Sequence, residues 1–328
     1  MTARRLPWQA YAFAIGNSDL WELYIRKMRR WPHLFFPRTY NEKMQWRKLF
    51  DHDPRVPPLS DKIAVRDHFR ARAPDLPMAP ILWTGTDPES IPHELLSQDI
   101  VIKANNASAR NLFLRQSDLD AEARTRLLTR WLTTPFGRAK YEWAYTGITP
   151  KLLIEPVLRA AGDAPVIDMN FDVFDGTICT CFVTVGKATG KSRIAVFNGD
   201  GRRLATRLPQ FTDDAKYLPA DFTLPPSFHR AASHARALGR GFDQVRVDFM
   251  AVDDALYGCE MTFYSLSGFA NSFTDTALFD YQNGLWDLRK SWFLTAPQSG
   301  WRARYAEVLR QHENRAQRPA PIGDIALA

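Results

Sequence analysis

The sequence predicts an α+β protein in which a helical N-terminal region precedes two lobes, each mixing strands with helices. Three stretches carry this reading. Residues 1–75 have a helical texture, residues 99–160 run strand, polar loop, strand, helix, strand, and residues 165–300 are mainly strands with crossing helices. The boundaries that follow are 1–96 for a helical N-terminal region with a short α/β connection, 97–160 for a small lobe, 161–312 for a large lobe and 313–328 for a disordered tail. The tail, ENRAQRPAPIGDIALA, is assigned on its lack of aromatic residues.

Each element has its own signal. WELYIRKMRRWPHLFF (21–36) interleaves bases with aromatics, as a helix does when it buries one stripe and solvates the other; the same pattern also suits nucleic acid, an anionic membrane surface or an acidic polymer. Ser60-Asp61-Lys62-Ile63 reads as a helix start, with Ser60 as cap, Asp61 at the positive end, and Ile63, Val65 and Phe69 on the buried face. Pro77, Pro80, Pro88 and Pro92 mark a connection that includes a short strand, APILW. DIVIKA (99–104) is a strand with Lys103 at its exit, NNASARN (105–111) a small polar loop, and LFLR (112–115) a returning strand. A helix over 118–133 takes Asp118 as its cap, and KLLIEPVL (151–158) is an apolar strand broken by Pro156. PVIDMNFDVF (165–174) alternates, Asp175-Gly176 marks a hairpin turn, and TICTCFVTVG (177–186) is the partner strand. SFHRAASHARALGRGF (227–242) is a helix ending near Gly239 and Gly241, and QVRVDFMAVDDALYGCEMTFY (244–264) is two strands around Asp253-Asp254.

Composition narrows the class. With 328 residues, 45% hydrophobic and 24% charged, the chain can bury a sizeable core and is neither fibrous nor wholly disordered. No apolar run approaches the ~18 residues of a membrane-spanning helix. The N-terminus lacks a continuous apolar core with a small-residue cleavage site, so it reads as mature protein. Cys179, Cys181 and Cys259 make no disulfide framework; they read as buried thiols in a reducing cytoplasm, with a metal role open only to the Cys179/Cys181 pair. The net charge of +7 is uneven, since residues 1–48 hold ten Lys/Arg against three Asp/Glu.

The chemistry-bearing pattern is the hairpin QVRVDFM…LYGCEMTF. Arg246 and Asp248 are two residues apart, so they share a face, as do Glu260 and Thr262 on the next strand. Val245, Val247 and Phe249 take the other face. Polar groups on one sheet face need partners, and two oxygen donors beside an arginine suit a Mg²⁺ carrying phosphates; an ordinary solvated face with an Arg–Glu pair is the other reading. Lys103, at a strand exit before a loop of small residues, suits phosphate, or is a surface lysine. Lys187, Lys191 and Arg193 form a basic loop fit for an acidic acceptor or for solvent. Ser265, Ser267, Gly268 and Asn271 follow the metal strand within reach of a substrate carboxylate. No histidine spacing suits a metal, and no Ser-His-Asp or Cys-His set is present.

The order SDKIAVRDHF, DIVIKANNASA, LLIEPVL, IDMNFDVF, VRVDFM, CEMTFYSLSG resembles the ATP-grasp superfamily. TYNEKMQWRKLFDHDPR (39–55) followed by SDKIAVRDHF (60–69) resembles, more closely, the TupA-like ATP-grasp family, associated with bacterial surface-polysaccharide and teichuronopeptide synthesis. The resemblance implies an ATP-grasp fold, two α+β lobes clasping ATP behind a reduced helical N-terminal region, with ATP and Mg²⁺ as cofactors. It implies that Lys62 and Lys103 hold nucleotide phosphates, with Ser108 and its neighbours in a mobile loop closing over them. Glu155 is implied near adenine N6, the main chain at Val157 and Leu158 along the base, and Asp168 near the ribose. Asp248 and Glu260 are implied as metal carboxylates with Thr262 at a third metal position, and Arg246 as the arginine that steadies an acyl phosphate. Arg193, Ser267 and Asn271 are the substrate-contacting candidates. The chain departs from the family's pattern at the NNASAR loop, where Ala107 and Ala109 resist positive φ, at Asn170 in place of a lysine, and at Thr262.

The implied function is an ATP-dependent carboxylate–amine ligase that modifies a surface polysaccharide or its precursor through an acyl phosphate. Its partners would be a carboxylate-bearing glycan or small-molecule acceptor and an amino acid or amine, with peripheral contact at the inner face of the membrane and no nucleic acid. The alternatives are a glycan-modifying transferase on the same fold, or a degenerate ATP-grasp protein serving as a binding or scaffold component.

Overall fold

Helical and alternating segments fold into twelve α-helices and nine strands among the residues described in a computed structural model, 6–162, 164–187, 190–209, 211–269 and 276–315. The N-terminal helices are α1 (Trp8–Ile15), α2 (Ser18–Met28), α3 (Tyr40–Phe50), α4 (Val56–Ser60) and α5 (Val65–Arg72). Then come β1 (Trp83–Gly85), α6 (His93–Leu96), β2 (Ile100–Ala104), β3 (Asn111–Phe113), α7 (Ala121–Thr133), α8 (Trp143–Thr146) and β4 (Leu152–Pro156). The second half contributes β5 (Ile167–Phe174), β6 (Thr177–Val185), β7 (Arg193–Phe197), α9 (Phe228–Gly239), β8 (Val245–Val252) and β9 (Ala255–Thr262). Helices α10 (Thr276–Leu285), α11 (Trp292–Thr295) and α12 (Gly300–Arg315) close the described chain.

Two antiparallel sheets result, a small one in the order β1-β4-β2-β3 and a large one in the order β7-β6-β5-β8-β9. The α+β class expected from the sequence is the class found. In the large sheet, alternation sends Met169, Phe171, Val173, Val245, Val247 and Phe249 to one face, all buried. Helix α9 covers that face with Phe228, Ala231, Ala235 and Leu238. The approach is close: a Cβ on Gly239 would lie 2.5 Å from Val173 Cγ1, so only glycine lets the helix end sit there. The opposite face carries the polar residues and stays open to the cleft. The β5–β6 turn uses Asp175 (φ 47°) and Gly176 (φ 82°), both left-handed, as a two-residue hairpin loop demands.

Helix α3 is unusual in that all eleven of its residues are buried, charged ones included. A capping box starts it, with Thr39 Oγ1 accepting from the Glu42 N–H and Glu42 Oε2 from the Thr39 N–H. Its cations end on backbone oxygens. Lys43 Nζ donates to the carbonyls of Asn283 (2.7 Å) and Trp286 (2.6 Å), and Arg47 donates to Phe263 O, Gln244 O and the Asp243 carboxylate. Burial presses the pKa of Lys43 down to about 8 and that of Lys48 to about 7.

Several expectations shift by a few residues. The helix start placed at Ser60 lies later: Ser60 ends α4, residues 61–64 form a turn, and α5 begins at Val65 with the Val65 N–H donating to Asp61 O. Asp61 serves that turn instead, its carboxylate accepting from the Ile63 N–H at 2.8 Å. Asp120, not Asp118, caps α7 by accepting from the Ala123 N–H. Within APILW the strand begins only at Trp83, the Leu82 N–H already donating to Ile154 O, and LFLR leaves the sheet after Phe113 for a 3₁₀ turn.

The lobes differ from the sequence boundaries for a topological reason. Strand β1, upstream of residue 97, pairs with β4 and so belongs to the small sheet. Helices α3–α5 share one hydrophobic core with the large sheet and the C-terminal helices, while a second core of Ile100, Ile102, Leu128, Trp131 and Ile154 lies under the small sheet. Helix α12 runs to Arg315, into the segment expected as tail, and 316–328 lie outside the described residues. The 21–36 stretch is in part a helix with Leu20 and Tyr24 buried and Arg26, Lys27, Arg29 and Arg30 exposed. Cys179 and Cys181 are both buried, and burial pushes their thiols well up.

Candidate functional site

The site begins with strand register. Asp248 on β8 stands opposite Glu260 on β9 and Asn170 on β5, and Arg246 stands opposite Thr262 and Asp172. A bulge between Asp248 and Phe249 shifts the β8–β9 ladder next to the carboxylates, as bulges near functional sites commonly do to re-aim side chains. The Arg246 guanidinium ties this face together. Its Nε and Nη2 donate to the two Asp248 oxygens at 2.7 and 2.5 Å, Nη2 also to Thr262 Oγ1 at 3.2 Å, and Nη1 to Ser265 Oγ at 3.3 Å. Burial opposes the charge on Arg246, but Asp248 more than offsets it and raises its pKa. Glu260 lies 3.8 Å from Arg246 and 3.4 Å from Lys62. Burial would raise the Glu260 pKa, yet Lys62, then Arg246 and Lys103, hold it at about 2.

The cations come from two places, Lys62 and Arg66 from the α4–α5 turn and α5, and Lys103 from β2 of the small sheet. Lys62 Nζ donates to Ala107 O at 2.5 Å in the loop after β2, and the Lys62 N–H donates to Asn105 O. Asn105 knits that loop to its surroundings, its amide donating to Asp61 Oδ2 and Thr149 O and accepting from the Lys151 N–H. Ser108 is exposed on the loop, and Ala109 adopts φ 59°, the left-handed conformation its Cβ disfavours. Lys103 pairs with Glu155 at 2.5 Å, and Arg66 takes the other Glu155 oxygen at 2.5 Å. The buried Glu155 is thus fully engaged by two cations. The Val157 N–H donates to Asp99 O, extending the sheet, whereas the Leu158 N–H donates to no other backbone group among the described residues. Asp168 pairs with Lys187 at 3.3 Å, and burial raises its carboxyl pKa against the pull of that lysine.

The sequence candidates therefore divide. Lys62, Glu260, Arg246, Asp248 and Thr262 meet in one cluster. Thr262 serves Arg246 directly, by accepting its hydrogen bond. Arg193 is exposed at the start of β7 and does not line the cavity described below. Ser267, expected toward substrate, turns inward: its Oγ and carbonyl both accept from Lys48 Nζ, at 2.9 and 2.8 Å, because φ 55° rotates it toward α3. Its neighbour Ser265 faces the site instead. Asn271 lies outside the described residues.

Sequence reasoning missed a cavity of about 360 Å³ on the far side of Arg246. Arg246, Asn170, Asp172 and Lys187 line it from the sheet side, and Tyr40, Asn41, Gln282 and Gly268 close it. Asp172 was legible, since it continues the i, i+2 series of Asp168 and Asn170 on β5. Asn41 and Gln282 were not, for their helices reach the sheet only through the fold. Helix α3 also shapes the loop after β9: Gln45 Nε2 donates to Ser267 O and Gly268 O, both at 3.1 Å. Gly268 has φ 64°, and a Cβ there would meet Met44 Cβ at 2.5 Å.

Among the described residues no cluster of three His, Cys, Asp or Glu side chains forms a complete metal cage. Two carboxylates on adjacent strands, with lysines above them, still fit Mg²⁺, which is bound through one or two carboxylates and takes phosphate oxygens for the rest. Asp248 and Glu260 would hold it.

The profile of the family described as TupA-like ATPgrasp matches residues 42–282. No curated protein matches. Solved structures that are similar include the ATP-grasp ligase PsnB with a precursor variant, Mg and ADP (17% identity, 69% of this chain and 59% of that chain, TM-score 0.37). The D-alanine–D-alanine ligase of Bacillus anthracis with ATP is another (13%, 78% and 66%, 0.37), and the D-cycloserine synthetase DcsG a third (16%, 79% and 72%, 0.36). The chain spans less than two thirds of the length of the first two. At such TM-scores these likenesses add nothing to the family match.

Proposed function

The chain belongs to the TupA-like ATP-grasp family, and on that premise we propose that it is an ATP-dependent carboxylate–amine ligase working through an acyl phosphate. The observation that supports this is the place of Arg246. It is locked on Asp248, Thr262 and Ser265 at the boundary between the lysine-roofed cleft and the cavity. A guanidinium there faces the oxygens of a phosphoryl group passing from one side to the other.

Lys62 and Lys103, resting on Glu260 and Glu155, would exchange those carboxylates for nucleotide phosphates. Mg²⁺ held by Asp248 and Glu260 would offset phosphate charge. A substrate carboxylate in the cavity attacks the γ-phosphorus and ADP leaves. An amine then attacks the acyl carbon, loses a proton, and expels phosphate to leave an amide. Arg246 acts by preorganised charge, already oriented before reaction. No side-chain nucleophile is needed.

The acceptor is a bacterial surface polysaccharide or its precursor in this reading, and the work is done in the cytoplasm. Exposed Trp8 and Ile15, and exposed Trp31 next to exposed Arg29 and Arg30 in sequence, support contact with an anionic membrane surface. No helix among the described residues is long and apolar enough to cross a membrane.

The test is ADP release with Mg²⁺ and ATP over a panel of carboxylates and amines. Release that requires one of each, together with a nucleotide-dependent rise in Tm, is the expected result. A chain that shows neither in any combination is not a ligase.

A further inference from the structure

Resting on the ligase reading of this same site, we infer that the carboxylate substrate is an α-amino acid with an apolar side chain, bound as a zwitterion in the cavity beside Arg246. The cavity wall is of three unlike kinds. On the sheet stand the guanidinium of Arg246 and the ammonium of Lys187, fit for a carboxylate. Beside Arg246, its cross-strand partner Asp172 lines the cavity together with Asn41 and Gln282, and these three are buried almost completely: Asp172 is 3% exposed, Asn41 1% and Gln282 2%.

Their hydrogen bonds are incomplete. Among the described residues, Asn41 Oδ1 and Nδ2 and Gln282 Oε1 make no hydrogen bond. The remaining bonds fix where they point. Gln282 Nε2 donates to Asp172 Oδ2 at 3.2 Å, and Gln244 Nε2 donates both to Asp172 Oδ1 (3.3 Å) and to the hydroxyl of Tyr40 (3.1 Å), the residue before Asn41. Buried polar atoms are nearly always paired in folded proteins, so a cluster of unpaired ones lining a cavity marks where a ligand completes them. An ammonium offers three N–H donors and no acceptor. Asp172, Asn41 Oδ1 and Gln282 Oε1 offer three acceptors, one of them charged.

The rest of the wall is apolar. Phe182, Ile194, Leu208 and Phe211 line the cavity on the side of β6 and β7. A ligand that carries a carboxylate and a three-donor ammonium on one carbon, with an apolar side chain turned to the wall of β6 and β7, fits all three surfaces. A volume of about 360 Å³ suits an amino acid in size. The α-carboxylate beside Arg246 is then the group that is phosphorylated, and the α-ammonium on Asp172 is held away from attack on its own acyl group.

Calorimetric titration tests this with leucine, phenylalanine and alanine, with their deaminated acids such as 4-methylpentanoate, and with glucuronate. Each is titrated with and without Mg²⁺ and a non-hydrolysable ATP analogue. Leucine or phenylalanine is expected to bind at least about a hundred-fold more tightly than its deaminated acid, because an analogue lacking the ammonium leaves buried acceptors unpaired. Asp172→Asn should lose at least about ten-fold in amino-acid affinity while keeping the nucleotide-dependent Tm shift, which shows that the variant is folded. Equal binding of the deaminated acid, or binding of glucuronate alone, overturns the inference. Amino-acid binding without any nucleotide effect would leave the inference standing and sink the ligase reading. A nucleotide effect with no amino-acid binding would do the reverse.

Discussion

Arg246 divides the polar face of the large sheet into two regions whose charges are settled in different ways. On the cleft side every acid has a cation: Asp248 has Arg246, Glu260 has Lys62 and Arg246, and Glu155 has both Lys103 and Arg66. On the cavity side Asp172 has only neutral amide donors, and the Asn41 and Gln282 amides keep unpaired atoms. In the proposed reading the cleft takes a polyanion, its lysines passing from carboxylate to phosphate, and the cavity takes a donor-rich group that pairs the open acceptors. On that reading one sheet face receives two substrates at places of unlike charge.

The largest effect should come from breaking the cleft. Asp248→Ala and Glu260→Ala should each lower ADP release by about 10²–10³-fold, the range for removing one preorganised electrostatic contact. Full turnover in both variants would remove the metal assignment. Next comes Asp172, through pH. Burial, first among its influences, raises its pKa from 3.8 to about 6, so the folded chain holds that proton more tightly than the unfolded one. Its contribution to stability is full below pH 4 and is lost as pH rises through about 6. Asp172→Asn escapes that loss. Urea unfolding should show the variant gaining about 3 kcal/mol on the wild type between pH 4 and pH 7. A difference that stays flat with pH would mean the carboxylate is not buried as described.

Two smaller tests sharpen the loops on either side. Gly268→Ala pushes a Cβ into Met44 at positive φ and should cost about 1–3 kcal/mol in stability. It should also weaken the site, because Gly268 lines the cavity. Ala109→Gly releases a left-handed alanine in the loop over the cleft and should stabilise by about 1 kcal/mol. If denaturation midpoints place the glycine variant below the wild type, that loop conformation is wrong.

Much of the cleft was legible from alternation alone. Arg246 and Asp248, or Glu260 and Thr262, share a face whatever the sheet does around them, because strand geometry has a period of two. The hairpin at Asp175-Gly176 was legible for a similar reason, its two left-handed residues being a local requirement. Lys62, read from the local sequence as part of a helix start, is presented by a turn instead. Ser267 was expected to face substrate from its place after β9. Its φ of 55° and the Lys48 ammonium beneath it direct it elsewhere, and neither is written in the local sequence.

Helix α3 marks the limit most clearly. Nothing in its charged sequence marks it as buried, yet all eleven positions are buried and its cations end on carbonyls far along the chain. The sequence determined the shared strand faces of Arg246 with Asp248 and of Glu260 with Thr262, and the α+β class, because these follow from periodicity and turn chemistry over a few residues. Tertiary structure alone decided that α3 and α10 would close a cavity beside Arg246, that β1 would join the small sheet, and that Asn41 and Gln282 would meet Asp172. Those outcomes depend on which distant segments pack together, and local conformational preference does not encode that choice.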